Sequence, residues 1–130
     1  MGKEILLNHV AVQCSNKEKA DIFFTKILGV PKVKNFTISE GLSESIFGIN
    51  SSVEVEVYDN GKTRFEVFIG QNNRTPSYEH ICVEIEDKKE FIDRCKKYCI
   101  EPLIVKREEK YLLFVRDFSN NLYEIKERKN

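Results

Sequence analysis

What the chain lacks already narrows its chemistry. No stretch of its 130 residues is apolar enough to span a bilayer, so a membrane partner is not expected. The N-terminus has no apolar signal core, which predicts a cytoplasmic location. Net charge is absent too: 21 Lys and Arg balance 21 Asp and Glu, and nucleic acid is disfavoured as the main partner. None of the four cysteines, Cys14, Cys82, Cys95 and Cys99, forms a CxxC pair. In a chain with no export signal they read as reduced, and Cys95 and Cys99, four apart on a helical stripe, read as core residues. Histidine is scarcest of the reactive side chains. There are only two, His9 and His80.

What is present is a repeat built around those two histidines. Leu7-Asn-His-Val-Ala-Val12 and Tyr78-Glu-His-Ile-Cys-Val83 each place His before a β-branched residue and lead into a helix. Strand alternation over Ile5–Cys14 sets Leu7, His9, Ala11 and Gln13 on one face. Over Tyr78–Ile85 it sets Tyr78, His80, Cys82 and Glu84 together. Both histidines are thus expected mid-strand. Ser15 or Asn16 caps a helix carrying Ala20, Phe23, Phe24, Ile27 and Leu28, and Gly29 ends it. Asp87 caps a second helix, running through Tyr98 with Phe91, Ile92 and Cys95.

Between these units, Phe36–Ile38 and Ser45–Phe47 read as strand pieces. Val53–Tyr58 and Thr63–Ile69 form a hairpin around Asp59-Asn-Gly61. Glu54 and Glu56, alternating with valines, read as solvated. After Pro102 come strands at Leu103–Val105, Tyr111–Arg116 and Leu122–Lys126, with a turn at Asp117–Asn121. Each half is therefore strand, helix, three strands. The class is α+β: one domain of paired βαβββ modules, module one at about residues 5–70, a linker at about 71–77, and module two at about 78–127. The modules form a curled mixed sheet around a cavity, with helices outside. The cavity face carries His9, Glu66, His80 and Glu124, whose +1 neighbours Val10, Val67, Ile81 and Ile125 are all apolar. Two imidazoles and two carboxylates make an N/O-rich set suited to divalent Ni, Co, Zn, Mn or Fe. Taken singly, each reads as an ordinary strand residue. The four at equivalent positions read as a metal site with places left open.

A βαβββ repeat with His in the first strand and Glu in the last resembles the vicinal oxygen chelate superfamily, which includes glyoxalase I, methylmalonyl-CoA epimerase, fosfomycin-resistance proteins and extradiol dioxygenases. The likeness rests on the two His motifs, on Phe24-Thr-Lys-Ile-Leu-Gly29 and Arg64-Phe-Glu-Val-Phe68, and on Val115-Arg-Asp-Phe-Ser-Asn-Asn-Leu-Tyr-Glu-Ile125. The Asp117-Phe-Ser-Asn-Asn121 turn is a degenerate form of the family's Asp-Pro-Asp-Gly type.

The resemblance implies metal ligands His9, Glu66, His80 and Glu124, a bound Ni, Zn, Co or Mn ion, a small-molecule substrate and a homodimer. It also implies lyase or isomerase chemistry of the glyoxalase I type, a proton passing through a metal-stabilised enediolate with Glu124 as base and Glu66 as its counterpart. Glu84, Gln13 and Arg116 are candidates for partners of the ligands or for substrate contacts. Bacterial glyoxalases carry an Arg four residues after the first His and an Asn four after the first Glu. Gln13 and Gly70 stand there instead, so the glutathione contacts are not carried over. The alternatives within the family are an epimerase-like isomerase, a fosfomycin-type thiol transferase, and a binding protein without catalysis.

Overall fold

The computed structural model describes residues 3–71 and 77–129. Most of the expected linker therefore lies outside the described residues. Eight strands form two separate four-stranded sheets with the same internal order. The first sheet runs β1 (Val10–Cys14), β4 (Arg64–Ile69), β3 (Val53–Asp59), β2 (Lys32–Ile38). The second runs β5 (Ile81–Ile85), β8 (Leu122–Glu127), β7 (Lys110–Arg116), β6 (Leu103–Arg107). In each, the first strand is parallel to the last and the other neighbours are antiparallel. The two βαβββ modules expected from the repeat are present.

The helices start and stop where local chemistry directs. Asn16 accepts from Lys19 N–H at the head of α1 (Lys17–Asp21), which continues as a π-type turn over Ile22–Ile27. Gly29, at φ 76°, ends it in a conformation that costs glycine little. Asp87 accepts from Glu90 N–H to open α3 (Lys88–Lys97). Ser45–Phe47, expected as strand, is helical. It belongs to α2 (Glu40–Phe47), capped by Ser39 accepting from Leu42 N–H and closed by Gly48 at φ 72°. Three residues with apolar ends fit either period, and the two caps decide the outcome.

One hydrophobic core serves both sheets. Val12, Phe23, Phe24, Tyr58, Phe65 and Val67 pack with Phe91, Leu113, Val115, Tyr123 and Ile125 of the second module. Phe23 meets Tyr123 at a centroid distance of 4.9 Å, and Phe24 stacks on Tyr58 at 4.9 Å. Arg94 on α3 donates to the Ile27 carbonyl at the end of the first helical unit (3.2 and 3.1 Å). The Asp117–Asn121 turn adds a buried polar link. Asp117 accepts from Tyr123 O–H (2.9 Å), from Asn121 Nδ2 (2.9 Å) and from the backbone of Ser119 and Asn121, while Asn121 Nδ2 also donates to the Gln13 carbonyl (3.0 Å). Beside it, burial and then the Asp117 charge push the Cys14 thiol up to about 12, so Cys14 is inert structure.

Glu56 corrects a sequence expectation. It is fully buried, not solvated. Alternation turns it, with Tyr58, toward the core side of the sheet's interior. There Lys32 Nζ pairs with it at 2.7 Å and with Asp21 at 2.8 Å, and Lys17 stands at 3.9 Å. A buried carboxylate needs such partners because desolvation without them is costly.

Candidate metal centre

The core takes Val10, Val12 and Cys14 from β1 and Ile81, Val83 and Ile85 from β5. Alternation therefore leaves Ala11, Gln13, Cys82 and Glu84 on the faces turned away from it. Register then places the carboxylates. Ala11 is opposite Glu66 and Cys82 is opposite Glu124, so each Glu lies diagonal to the His two residues earlier. The offset is the same in both modules. His9 Nε2 lies 3.5 Å from Glu66 Oε1, and His80 Nε2 lies 3.3 Å from Glu124 Oε1.

Neither histidine is within its strand, a correction to the expected mid-strand positions. β1 begins at Val10 and β5 at Ile81. Both strands are sheet edges, paired on one side only, and their parallel ladders open at Val10 with Phe65 and at Ile81 with Tyr123, one residue past each histidine. Ile5, Leu6, Leu7 and Tyr78 are consequently exposed. Freedom from the ladder lets each imidazole take a local acceptor. His9 Nδ1 donates to Asn8 Oδ1 (2.7 Å), and His80 Nδ1 donates to the Tyr78 carbonyl (2.9 Å). Both acceptors fix the Nδ1–H tautomer, which aims the Nε2 lone pair at a carboxylate oxygen. Two acceptors this close repel unless a cation, proton or metal, lies between them. The donor set fits a divalent ion.

The surroundings of the two pairs differ. Arg64, on the same face of β4 as Glu66, reaches Glu66 Oε2 from Nε and Nη2 (3.4 Å each) and Asp59 from Nη1 (3.0 Å). Glu124 has Lys126 at 4.0 Å, and the His80 ring stands edge-on to Phe114 at 6.2 Å. Sequence reading missed Arg64 and Asn8 as partners. Arg64 was legible, since two residues apart on a strand share a face; the Asn8 contact was not, since it depends on the strand starting late.

The remaining candidates separate. Glu84 faces Lys126 in register and, with Asn8, His9 and Arg64, lines a polar cavity of about 640 Å³ between the β1 and β5 edges. Gln13 donates to the Gln71 carbonyl at the end of β1. Arg116 donates to the Asn120 carbonyl (2.9 Å) and so braces the turn after β7. Cys82 lies beside Glu124, and burial and that carboxylate raise its thiol. Within one chain the two His–Glu pairs do not meet. Among the described residues no three His, Cys, Asp or Glu side chains gather around one point, because the shared core lies behind both pairs.

No family model matches the sequence, and no curated protein matches it. Solved structures do match. A fosfomycin resistance protein, FosX, from Listeria monocytogenes, complexed with Mn(II) and sulfate ion, aligns with a TM-score of 0.71 at 17% identity, over 98% of this chain and 95% of that one. A glyoxalase family protein from Bacillus cereus aligns at 0.74 and 18% identity, over 95% and 94%. FosX from Mesorhizobium loti aligns at 0.71 and 15% identity, over 98% and 94%. Identities this low speak to architecture, and the architecture agrees along nearly the whole length. The chain shares the paired βαβββ architecture of these structures.

Proposed function

We propose that this protein is a divalent-metal-dependent enzyme acting on a small molecule with two neighbouring oxygens. Its site is completed when the His9–Glu66 pair of one copy meets the His80–Glu124 pair of a second. The observation that carries this reading is the equal register of the two pairs, each on a face turned from the core and beside an unpaired edge strand. Edge strands β1 and β5 offer unsatisfied backbone groups to a second copy, and module exchange across a two-fold axis would generate two equivalent sites. The paired modules act as one domain in this arrangement.

The ion would serve as a Lewis acid for the substrate oxygens. That a FosX of the same architecture is complexed with Mn(II) supports a divalent metal here. Glu124 moves the proton in a lyase or isomerase reaction of glyoxalase type. Among the described residues it has Lys126 at 4.0 Å, whereas Glu66 is gripped by Arg64. Asn8 and the Tyr78 carbonyl hold the imidazoles in the ligating tautomer. A second reading has a specific observation behind it. With Arg64 holding Glu66, the ligands reduce to two histidines and Glu124, the set of fosfomycin-type enzymes, and the reaction becomes attack of a thiol on an epoxide carbon, breaking one C–O bond and passing the thiol proton to the released alkoxide.

A screen of the metal-supplemented protein against hemithioacetals, methylmalonyl thioesters and epoxides separates the two. Turnover of a carbonyl or thioester substrate with solvent-proton exchange is expected. Consumption of the epoxide alone would favour the second reading, and substoichiometric metal after supplementation would overturn both.

A further inference from the structure

We infer that the substrate carries an uncharged, apolar arm seated under α2, in a cavity of about 440 Å³ beside the His9–Glu66 pair; this rests on the proposed metal site. Ala11, which lines the cavity, is the register partner of Glu66. Phe68, which also lines it, follows Glu66 by two residues on the same face, a distance of roughly 7 Å along a strand. The cavity therefore opens one side-chain spacing from the proposed ligands, and one small molecule can occupy both.

Its chemistry is opposite to that of the cavity between the sheet edges. Phe47, Ile49, Val53 and Phe68 form most of the wall, three serines and two glutamines add neutral polar groups, and none of the described lining residues is charged. The edge cavity, by contrast, is lined by Lys62, Arg64, Lys126 and Arg128. Phe47 and Phe68 meet edge to face at 5.4 Å, so α2 is held over the sheet as a roof. Yet Phe47 and Ile49 remain 47% and 56% exposed, apolar surface that an alkyl or aryl group would cover. The volume falls within the roughly 300–1,000 Å³ common for small-molecule sites. A phosphonate or other charged arm would lose its hydration here with no cationic side chain among the described lining residues to offset the loss.

Straight-chain hydroxamic acids from acetyl to octanoyl test this, since each presents two neighbouring oxygens to the metal and differs only in its arm. Calorimetry on the metal-loaded protein is expected to show affinity rising roughly fourfold per methylene, with Ile49→Arg flattening the rise. Equal affinity along the series, with acetohydroxamate bound, would overturn the inference and leave the metal site standing. A metal-independent arm of the experiment follows the NMR signals of Phe47, Ile49 and Phe68 while n-hexanol is titrated into metal-free protein. Shifts there, even if no hydroxamate binds, support the subsite while the metal reading fails. Their absence overturns the subsite however the hydroxamates behave.

Discussion

Replacing Glu124 with alanine is expected to strip the protein of tightly held divalent metal and, with it, of turnover. Glu124 faces His80 Nε2 at 3.3 Å, and no other carboxylate stands opposite it in register to take its place. Its loss removes a proposed ligand and the proposed base together, and a base alone contributes typically 10²–10⁴-fold in rate. Asn8→Ala supplies the contrast. Asn8 meets the far nitrogen of His9 (2.7 Å), not the ligating one, so its removal should lower metal affinity by roughly 10–100-fold without abolishing binding. Metal content after gel filtration, and titration with a competing chelator, check both. An alanine at 124 that left affinity unchanged would remove Glu124 from the centre.

Asp117→Ala is expected to produce the largest loss of stability, about 3–5 kcal/mol from several buried donors left unpaired, with the melting temperature falling by roughly 10 °C or more. Asp117 is 4% exposed and accepts from Tyr123 O–H, from Asn121 Nδ2 and from two backbone N–H groups. The substitution leaves those donors buried and unpaired, which costs more than the bonds themselves contributed. The damage also crosses between modules. Asn121 donates to the Gln13 carbonyl, and Ser15 N–H donates to Ser119 Oγ at 2.9 Å, so loosening the turn loosens β1 against the second sheet. Urea denaturation checks this; a loss under about 1 kcal/mol would mean that water replaces the carboxylate freely.

The repeat was readable because each copy obeys strand and helix periods and because its caps, Asn16, Gly29 and Asp87, act locally. The equivalence of His9 with His80 and of Glu66 with Glu124 was readable for the same reason: parity along a strand is fixed by the chain. Other features depend on what packs against a segment. Val-Glu-Val-Glu-Val alternation assigns Glu56 to a face but not to burial, which comes from Lys32, distant in sequence. Ser45–Phe47 is too short for its period to choose between strand and helix. The late start of β1 and β5 is set by where their parallel ladders to β4 and β8 open, which no residue in those segments announces. Parity also could not say whether the two His–Glu pairs face each other, since that depends on which sheet faces share the core.

In the proposed assembly one metal centre draws a His–Glu pair from each of two copies. Mixing His9→Ala and Glu124→Ala chains, differently tagged, and letting subunits exchange puts that sharing to the test. Each parent alone has every site damaged. In a mixed dimer built by module exchange, one site collects both lesions and the other is intact. With random pairing, bound divalent metal should recover to about a quarter of the wild-type value. Mixed dimers that hold no more metal than the two parents would rule out a centre shared between copies.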